Sequence, residues 1–306
     1  MKESPIKLFV IVVTYKGMQW YDRCFTSLRN STIPVQTIVV DNASNDGTVE
    51  YIKENYPEII LIESKENLGF GKANNMAMRY ALDHECDYVF LLNQDAWVEP
   101  ETIEKLVKVH QEHKEFGIVS PMHLNVNKTG LVMKEFCRQP CNERLITDLY
   151  LNTLSDVYET TYIHAAAWLL PRLTLVTIGG FDPIFNHYGE DDDYLHRVRY
   201  HRVRIGVCPS ARIVHDHQER PRTSAQWQYF HDLNKLVEYL DINQPFKPGN
   251  CLRRYVGKWL LGICRFDRKQ SGSWGKDMRF LWTNTKEIKT HRKQNKQVGE
   301  TWLREL

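Results

Sequence analysis

"VFLLNQDAWVEP", residues 89–100, is where the fold is decided. Val89–Leu92 is apolar without alternation, which reads as a strand in a parallel sheet covered on both faces. The strand runs directly into Asn93-Gln94-Asp95. Two readings of that acid compete. Asp95 opens a turn or caps a helix beginning near Pro100, or it holds a metal ion at the carboxyl edge of a sheet.

The surrounding chain favours the second. Strands are expected at Ile6–Thr14, Val35–Val40, Ile59–Glu63 and Tyr88–Leu92, with another starting at Gly117–Ser120. Helical spacing covers Met18–Arg29, Asp46–Asn55, Gly71–Leu82 and Glu101–His113. Such alternation implies an α/β fold with a doubly wound, mostly parallel sheet and right-handed crossovers. Ligands of such sheets bind outside the carboxyl ends of the strands. The polar clusters fall at those ends: Thr14-Tyr15, Asp41–Ser44, Asn67–Gly71 and Asn93–Asp95.

Further along, residues 126–160 are weakly patterned and read as a variable loop region. Tyr162–Leu170 reads as a strand, Glu190–Arg202 as a helix, and Ile205–Cys208 and Ile213-Val214 as two short strands. From about residue 222 onward, Ala225–Leu240, Cys251–Phe266 and Trp274–Lys293 read as helices. The expected organisation is an α/β domain over 1–220 and a basic helical extension over 221–306.

Composition is that of an ordinary globular protein, 42% hydrophobic and 25% charged over 306 residues. The N-terminal apolar run reads as a first strand rather than a signal peptide, and no run reaches the ~20 residues of a membrane span. The seven cysteines are scattered. Cys137 and Cys141 form a CxxxC without a second pair, which argues against zinc, and reduced thiols in the cytoplasm are expected. Residues 247–306 hold fifteen Lys and Arg against five Asp and Glu, +10, leaving −8 on residues 1–246 of a chain whose net charge is +2. A basic tail on an acidic body points to an anionic partner or to a helical subdomain with a solvated basic face.

The first strand is followed by Thr14-Tyr15-Lys16-Gly17, too poor in glycine for a dinucleotide turn, and no GxxxxGK[ST] occurs. A different nucleotide site fits. Asp41 can accept from a base N–H and the Tyr15 ring can pack near that base. Asn67, Asn74 and the backbone around Gly69–Gly71 can line nucleotide or sugar, where glycine permits close approach and a helix N-terminus favours negative charge. Mg²⁺ or Mn²⁺ held by Asp95 would neutralise a diphosphate, and His215 would add an imidazole better suited to Mn²⁺. Asp41-Asn42 is also a good Asx turn, and Asn74 also fits a simple exposed helix position.

The stretches "VIVVTYKG", "IVVDNASNDGT", "NLGFGKANN", "LLNQDAWVEP", "GGFDPIFNHYGEDDDYLHR" and "ARIVHDH" together resemble the family 2 glycosyltransferases of GT-A fold, in particular their rhamnosyltransferase-like branch. The resemblance covers residues 6–217. It implies a Rossmann-like nucleotide-binding half and an acceptor half. It assigns Thr14, Tyr15 and Asp41 to the nucleoside, with Asn93 beside them on the nucleotide sugar. Asp95 falls to the metal of a DxD-like motif, Glu190-Asp191 to an ED motif whose aspartate is the catalytic base, and His215 to metal and diphosphate. One departure is the Asn93-Gln94-Asp95 sequence, which carries a single acid.

Inverting displacement needs a base for the acceptor hydroxyl and a stabiliser for the departing charge. In "GEDDD", Asp191 is the candidate base, with Glu190, Asp192 and Asp193 raising its proton affinity by repulsion and Asp193 facing elsewhere. Phe181, Trp168, Tyr188 and His187 could wall the acceptor, since sugars stack on aromatic faces, but more often such residues are core, and His164 reads as a core histidine rather than a ligand. A glycosidase would set two carboxylates about a bond without a nucleotide site. A sugar nucleotidyltransferase would need a longer, Gly-rich loop after the first strand. The segment 251–266 mixes Arg and Lys with Trp, Leu and Ile, fitting an anionic bilayer that presents a lipid-linked acceptor, or ordinary packing. No nucleic-acid module is present. The expected activity is transfer from a UDP- or dTDP-linked sugar to a glycan or lipid-linked hydroxyl by a cytoplasmic or peripheral membrane enzyme. The rival is a non-catalytic nucleotide-sugar-binding or scaffold protein of a polysaccharide assembly complex.

Overall fold

The computed structural model describes residues 5–132, 143–217, 223–264 and 268–304. Cys137, Cys141 and the last two residues of the 251–266 segment lie outside them. The chain divides into two compact units, Met1–Glu219 together with Val298–Leu306, and Arg220–Gln297.

The first unit is built on a nine-stranded sheet. Its strands are β1 (Leu8–Thr14), β2 (Gln36–Asp41), β3 (Ile60–Glu63), β4 (Tyr88–Leu92), β5 (Ala96–Val98), β6 (Phe116–Leu124), β7 (Tyr158–Glu159), β8 (Ala167–Pro171) and β9 (Arg204–His215). The order across the sheet is β3-β2-β1-β4-β8-β6-β9-β5, with β7 also on β9. Strands β1 to β4, β6 and β9 run one way, and β5, β7 and β8 run against them. The carboxyl ends of β1, β2, β4, β6 and β9 therefore reach one edge, and the amino end of β8 joins them.

The unbroken apolar runs have the expected cause. Phe9 and Ile11 of β1, Ile38 and Val40 of β2, and Val89 and Leu91 of β4 enter one core. The intervening Val10, Val12, Val39 and Phe90 enter a second core on the opposite face. Each fully buried side chain of this size contributes roughly 1.5–3 kcal/mol. Helix α1 (Met18–Arg29) covers the second face with Tyr21, Cys24, Phe25 and Leu28, an i, i+3, i+4, i+7 stripe. It is joined there by α4 (Thr102–Glu112), while α2 (Thr48–Asn55) lies between β2 and β3 in the chain. Helix α3 (Gly69–Asp83) contributes Ala73, Ala77, Met78 and Ala81 to the first face.

Several elements depart from the sequence expectations. The loop region 126–160 contains α5 (Glu143–Leu151) and β7. The expected strand Tyr162–Leu170 is paired only over Ala167–Pro171, and α6 (Arg172–Ile178) follows at once. Ile205–Cys208 and Ile213-Val214 are parts of one strand, β9, which pairs β6 along its length with register shifts between Phe116 and Ile118 and between Pro121 and Met122. Residues 298–304 belong to the sheet-bearing unit. Gly180 N–H donates to Thr301 O, Asn75 Nδ2 donates to Trp302 O, and Leu303 is buried in the first core.

The second unit holds α8 (Ser224–Leu240), α9 (Pro248–Cys264) and α10 (Arg268–Asn295). A capping box between Thr223 and Gln226 starts α8. Buried Asp277 pairs with Lys235 at 3.0 Å and His231 at 2.9 Å. Among the described residues no helix is long and apolar enough to cross a membrane.

Candidate active site

The carboxyl edge of the sheet gathers the polar strand ends. Thr14 and Asp41 are level neighbours on β1 and β2 and both are buried. Thr14 Oγ1 donates to Asp41 Oδ1 at 3.1 Å, and Ser44 N–H donates to Asp41 Oδ2 at 2.9 Å. Asp41 thus ties the loop after β2 back to the strand end through Ser44, three residues on, rather than through an Asx turn two residues on. Tyr15 is exposed beside it.

Gln94, given no role by the sequence, links β1 to the β4 tip. Its Oε1 accepts from Tyr15 N–H at 2.8 Å while its Nε2 donates to Tyr15 O at 3.2 Å. Gly17 has to be glycine for this clip, since a Cβ there would lie 2.6 Å from Gln94 Oε1. Asn42 ties β2 to the next loop, accepting from Leu68 N–H and donating to Gly69 O.

The residues Asn67–Asn74 are held more tightly than an open phosphate cradle. Gly69 has φ +78°, and a Cβ there would lie 2.0 Å from Asn186 O. A Cβ on Gly71 would meet Phe181 at 3.0 Å. Asn67 is exposed and accepts from Gly69 N–H, whereas Asn74 is buried and donates to Phe70 O in its own helix. The neighbouring Asn75 is the structural clamp, accepting from Phe181 N–H and donating to Phe181 O.

Asp95 follows the β4 tip and leads into β5, whose antiparallel pairing with β9 sets Ala96 opposite His215. His215 Nε2 lies 3.3 Å from Asp95 Oδ1. One carboxylate and one imidazole suit Mn²⁺ or a similar ion, with remaining positions left to diphosphate oxygens and water. Among the described residues, no third acidic, histidine or cysteine side chain joins this pair at ligand spacing. Asn93 Oδ1 is buried at the same strand tip without a protein partner. The donor set fits a divalent ion that is also bound by substrate.

Asp191 comes from the other half of the chain. Tyr188 and Gly189, both left-handed at φ +67° and +86°, turn the backbone into α7 (Glu190–Tyr200). Four acids occupy its first turn. Asp193 is spent on structure: it accepts from Arg197 Nε at 2.9 Å, and Arg197 also donates to Ile178 O and Gly180 O. Glu190 is buried, and burial with the Asp191 charge pushes its carboxyl up to about 8. Burial and Asp191 likewise push Asp192 up to about 7. Asp191 Oδ1 accepts from Asp192 N–H, and its Oδ2 lies 3.8 Å from His164 Nδ1.

His164 is therefore not a core histidine, because its side chain is 42% exposed beside Asp191. Trp168 and Phe181 are not acceptor walls. Both are fully buried, stacked on each other and packed at a tilt against Tyr194. His187 and Tyr188 are exposed.

The halves meet through β8. Asn93 N–H donates to Ala166 O at 3.0 Å, which places the β4 tip against the segment bearing His164. His123, fully buried near the end of β6, packs edge-on against His215 at 6.2 Å between ring centroids. Ser120 Oγ donates to Ala167 O at 2.8 Å, so it accepts from His123 Nε2 at 3.2 Å. That assignment leaves His123 Nδ1 as a bare acceptor. Asn93 Oδ1, His123 Nδ1, Trp168 Nε1 and Glu190 Oε2, four of the buried polar atoms without a protein partner among the described residues, belong to the strand ends and helix start gathered here, whereas Ser31 Oγ, also unpartnered, lies after α1. Such orphaned groups are rare away from ligands and water.

A family model for glycosyl transferase family 2 matches residues 9–172, more than half the chain. The chain belongs to that family. Its relatives include the low-salt glycan biosynthesis hexosyltransferase Agl10 of Haloferax volcanii, 24% identical over 276 residues and covering 86% of each chain. They also include an N-acetylglucosaminyl-diphospho-decaprenol L-rhamnosyltransferase of Mycobacterium tuberculosis, 26% identical over 229 residues, 67% of this chain and 75% of that one. Rhamnosyltransferases are thus among the proteins it resembles, and it is a glycosyltransferase. S. aureus TarS 1–349 in complex with UDP shares the fold, with TM-score 0.57 and 18% identity. That likeness covers 78% of this chain and 65% of the TarS chain, just under two thirds of its length.

Proposed function

We propose that this glycosyltransferase moves a hexose or rhamnose from a UDP- or dTDP-linked donor to a hydroxyl of a glycan or lipid-linked acceptor, inverting the anomeric carbon. The reading is supported by the unpartnered buried atoms Asn93 Oδ1, His123 Nδ1 and Glu190 Oε2, which lie on the elements that carry the Asp95–His215 and Asp191–His164 pairs. Thr14, Tyr15 and Asp41 face the nucleoside, with Asn67, Gly71, Asn74 and Asn93 shaping the nucleotide-sugar side. Asp95 and His215 hold the divalent ion, whose charge offsets that of the leaving diphosphate when bound.

Asp191 takes the proton of the acceptor hydroxyl as its oxygen bonds to the anomeric carbon and the carbon–diphosphate bond breaks on the opposite face. At neutral pH Glu190 is largely protonated, so it orients as a neutral neighbour and adds little competing charge. The names of the relatives support a glycan or lipid-linked acceptor, since one acts on a diphospho-decaprenol. Such an acceptor favours action in the cytoplasm at the inner membrane face. Helix α9 supports contact with an anionic surface, exposing Leu260, Leu261 and Ile263 alongside Arg253, Arg254 and Lys258.

Thermal shift and calorimetry with UDP, dTDP and GDP, with and without Mn²⁺, test the donor class. Stabilisation by a uridine or thymidine diphosphate that needs Mn²⁺ is expected. Indifference to every nucleotide would remove the proposal.

A further inference from the structure

The helical unit carries a basic cavity that the transfer chemistry does not use. Its volume is about 670 Å³, and its lining includes Phe246, Lys247, Lys289, Arg292, Lys293 and Lys296. Among the described residues lining it there is no carboxylate. Arg292 builds the cavity wall. It donates to the carbonyls of Tyr239, Asp241 and Gln244, pinning the turn between α8 and α9 and taking up those acceptors. The Asp241 carboxylate is engaged by Asn243 N–H and Nδ2. Arg292 thus spends its donors on the turn, and Lys247, Lys289, Lys293 and Lys296 concentrate positive charge along the lining.

The lysines are part of a longer pattern. Trp282, Lys286, Lys289 and Lys293 follow one another at i+4, i+3 and i+4 along α10, and Lys296 lies one residue beyond the helix at the next such step. At 3.6 residues per turn they form one stripe about 80° wide. Trp282 is 81% exposed and makes that stripe amphipathic. An exposed tryptophan in line with a row of lysines matches the headgroup layer of a bilayer, where an indole is half apolar and half wet and lysines meet anionic phosphates. A soluble anion would explain the cavity but leave the tryptophan without a role.

We propose that the cavity bounded by Phe246, Lys247 and the Lys289–Lys296 stripe seats the phosphate of an anionic phospholipid, with Trp282 lying in the headgroup layer. The site rests neither on the transferase reading nor on the exposed face of α9.

Co-sedimentation of the full chain with phosphatidylcholine vesicles, with and without phosphatidylglycerol, tests it. Binding only to the anionic vesicles is expected, weakening as salt rises. At the usual surface potential, each neutralised lysine is worth enough that Lys289→Gln/Lys293→Gln weakens binding about 30-fold. Trp282→Ala also weakens it. Lys108→Gln/Lys114→Gln, an equal loss of charge on the sheet-bearing unit, leaves it unchanged. No binding to either vesicle, or equal binding by the Lys289/Lys293 variant and its control, overturns the proposal. So does saturable stabilisation by inorganic phosphate or glycerophosphate without vesicle binding, which would make the cavity a site for soluble phosphate.

Discussion

Asp95 Oδ1 and His215 Nε2 lie 3.3 Å apart because β5 pairs antiparallel with the end of β9. We propose this pair as the ligands of one divalent ion. Asp95→Asn and His215→Ala should each weaken Mn²⁺-dependent UDP binding at least about tenfold, since even outer-shell partners of metal ligands cost that much. Calorimetric titration of UDP with and without Mn²⁺ measures it. Unchanged Mn²⁺ dependence in both variants would take the ion away from this pair.

Arg197 and Asp193 are each only 1% exposed in their side chains, and Arg197 bridges onward to the carbonyls of Ile178 and Gly180. This pair anchors the helix that presents Asp191. Removing one partner strands a buried charge, so Asp193→Ala is expected to lower stability by about 3–5 kcal/mol. Urea unfolding checks the figure, and a loss below about 1 kcal/mol would contradict it.

Glu190 and Asp192 have carboxyl groups pushed up to about 8 and about 7, first by burial and then by Asp191. The folded state therefore holds protons that the unfolded chain releases near the ordinary carboxylate range. Stability present below that range is lost as pH rises through 7 and 8. Glu190→Gln should flatten the fall in melting temperature over this window and raise it at the alkaline end. A variant melting curve that follows the parent at every pH would show that Glu190 is not held protonated.

Gly69 has φ +78° and no room for a methyl group against Asn186 O. Gly69→Ala should cost roughly 1–3 kcal/mol of stability through the strained backbone alone. It should also displace the 181–189 turn that leads into α7. Urea unfolding reads the first effect and UDP release the second, and a variant indistinguishable from the parent in both would contradict the tight packing of these loops.

Much of this was legible in residues 1–125. Strands buried on both faces leave unbroken apolar runs, and where those runs stop the polar ends mark the edge, as at Asp41 and Asp95. Short or antiparallel elements left no such trace. Three-residue β5 and two-residue β7 are too brief for periodicity, and nothing in Ala167–Pro171 announces that it inserts between β4 and β6. His164 was misread because its apolar neighbours Ala165–Trp168 are buried while it stands just before their strand, on the edge beside Asp191. For Trp168 and Phe181 the commoner of the two readings holds, since aromatic residues near a motif pack beneath it as readily as they line it. Gln94 and Asn75 carried no signal, because their partners are backbone groups far away in sequence.

The central claim is that Asp191 acts as the base at the site where Asp95 and His215 meet the donor. Steady-state UDP release by Asp191→Asn, set beside its calorimetric affinity for UDP with Mn²⁺, tests it most directly. The expected result is turnover lower by about 10²–10⁴ with nucleotide affinity unchanged. Turnover equal to the parent's, or a loss that merely tracks weaker nucleotide binding, would contradict it.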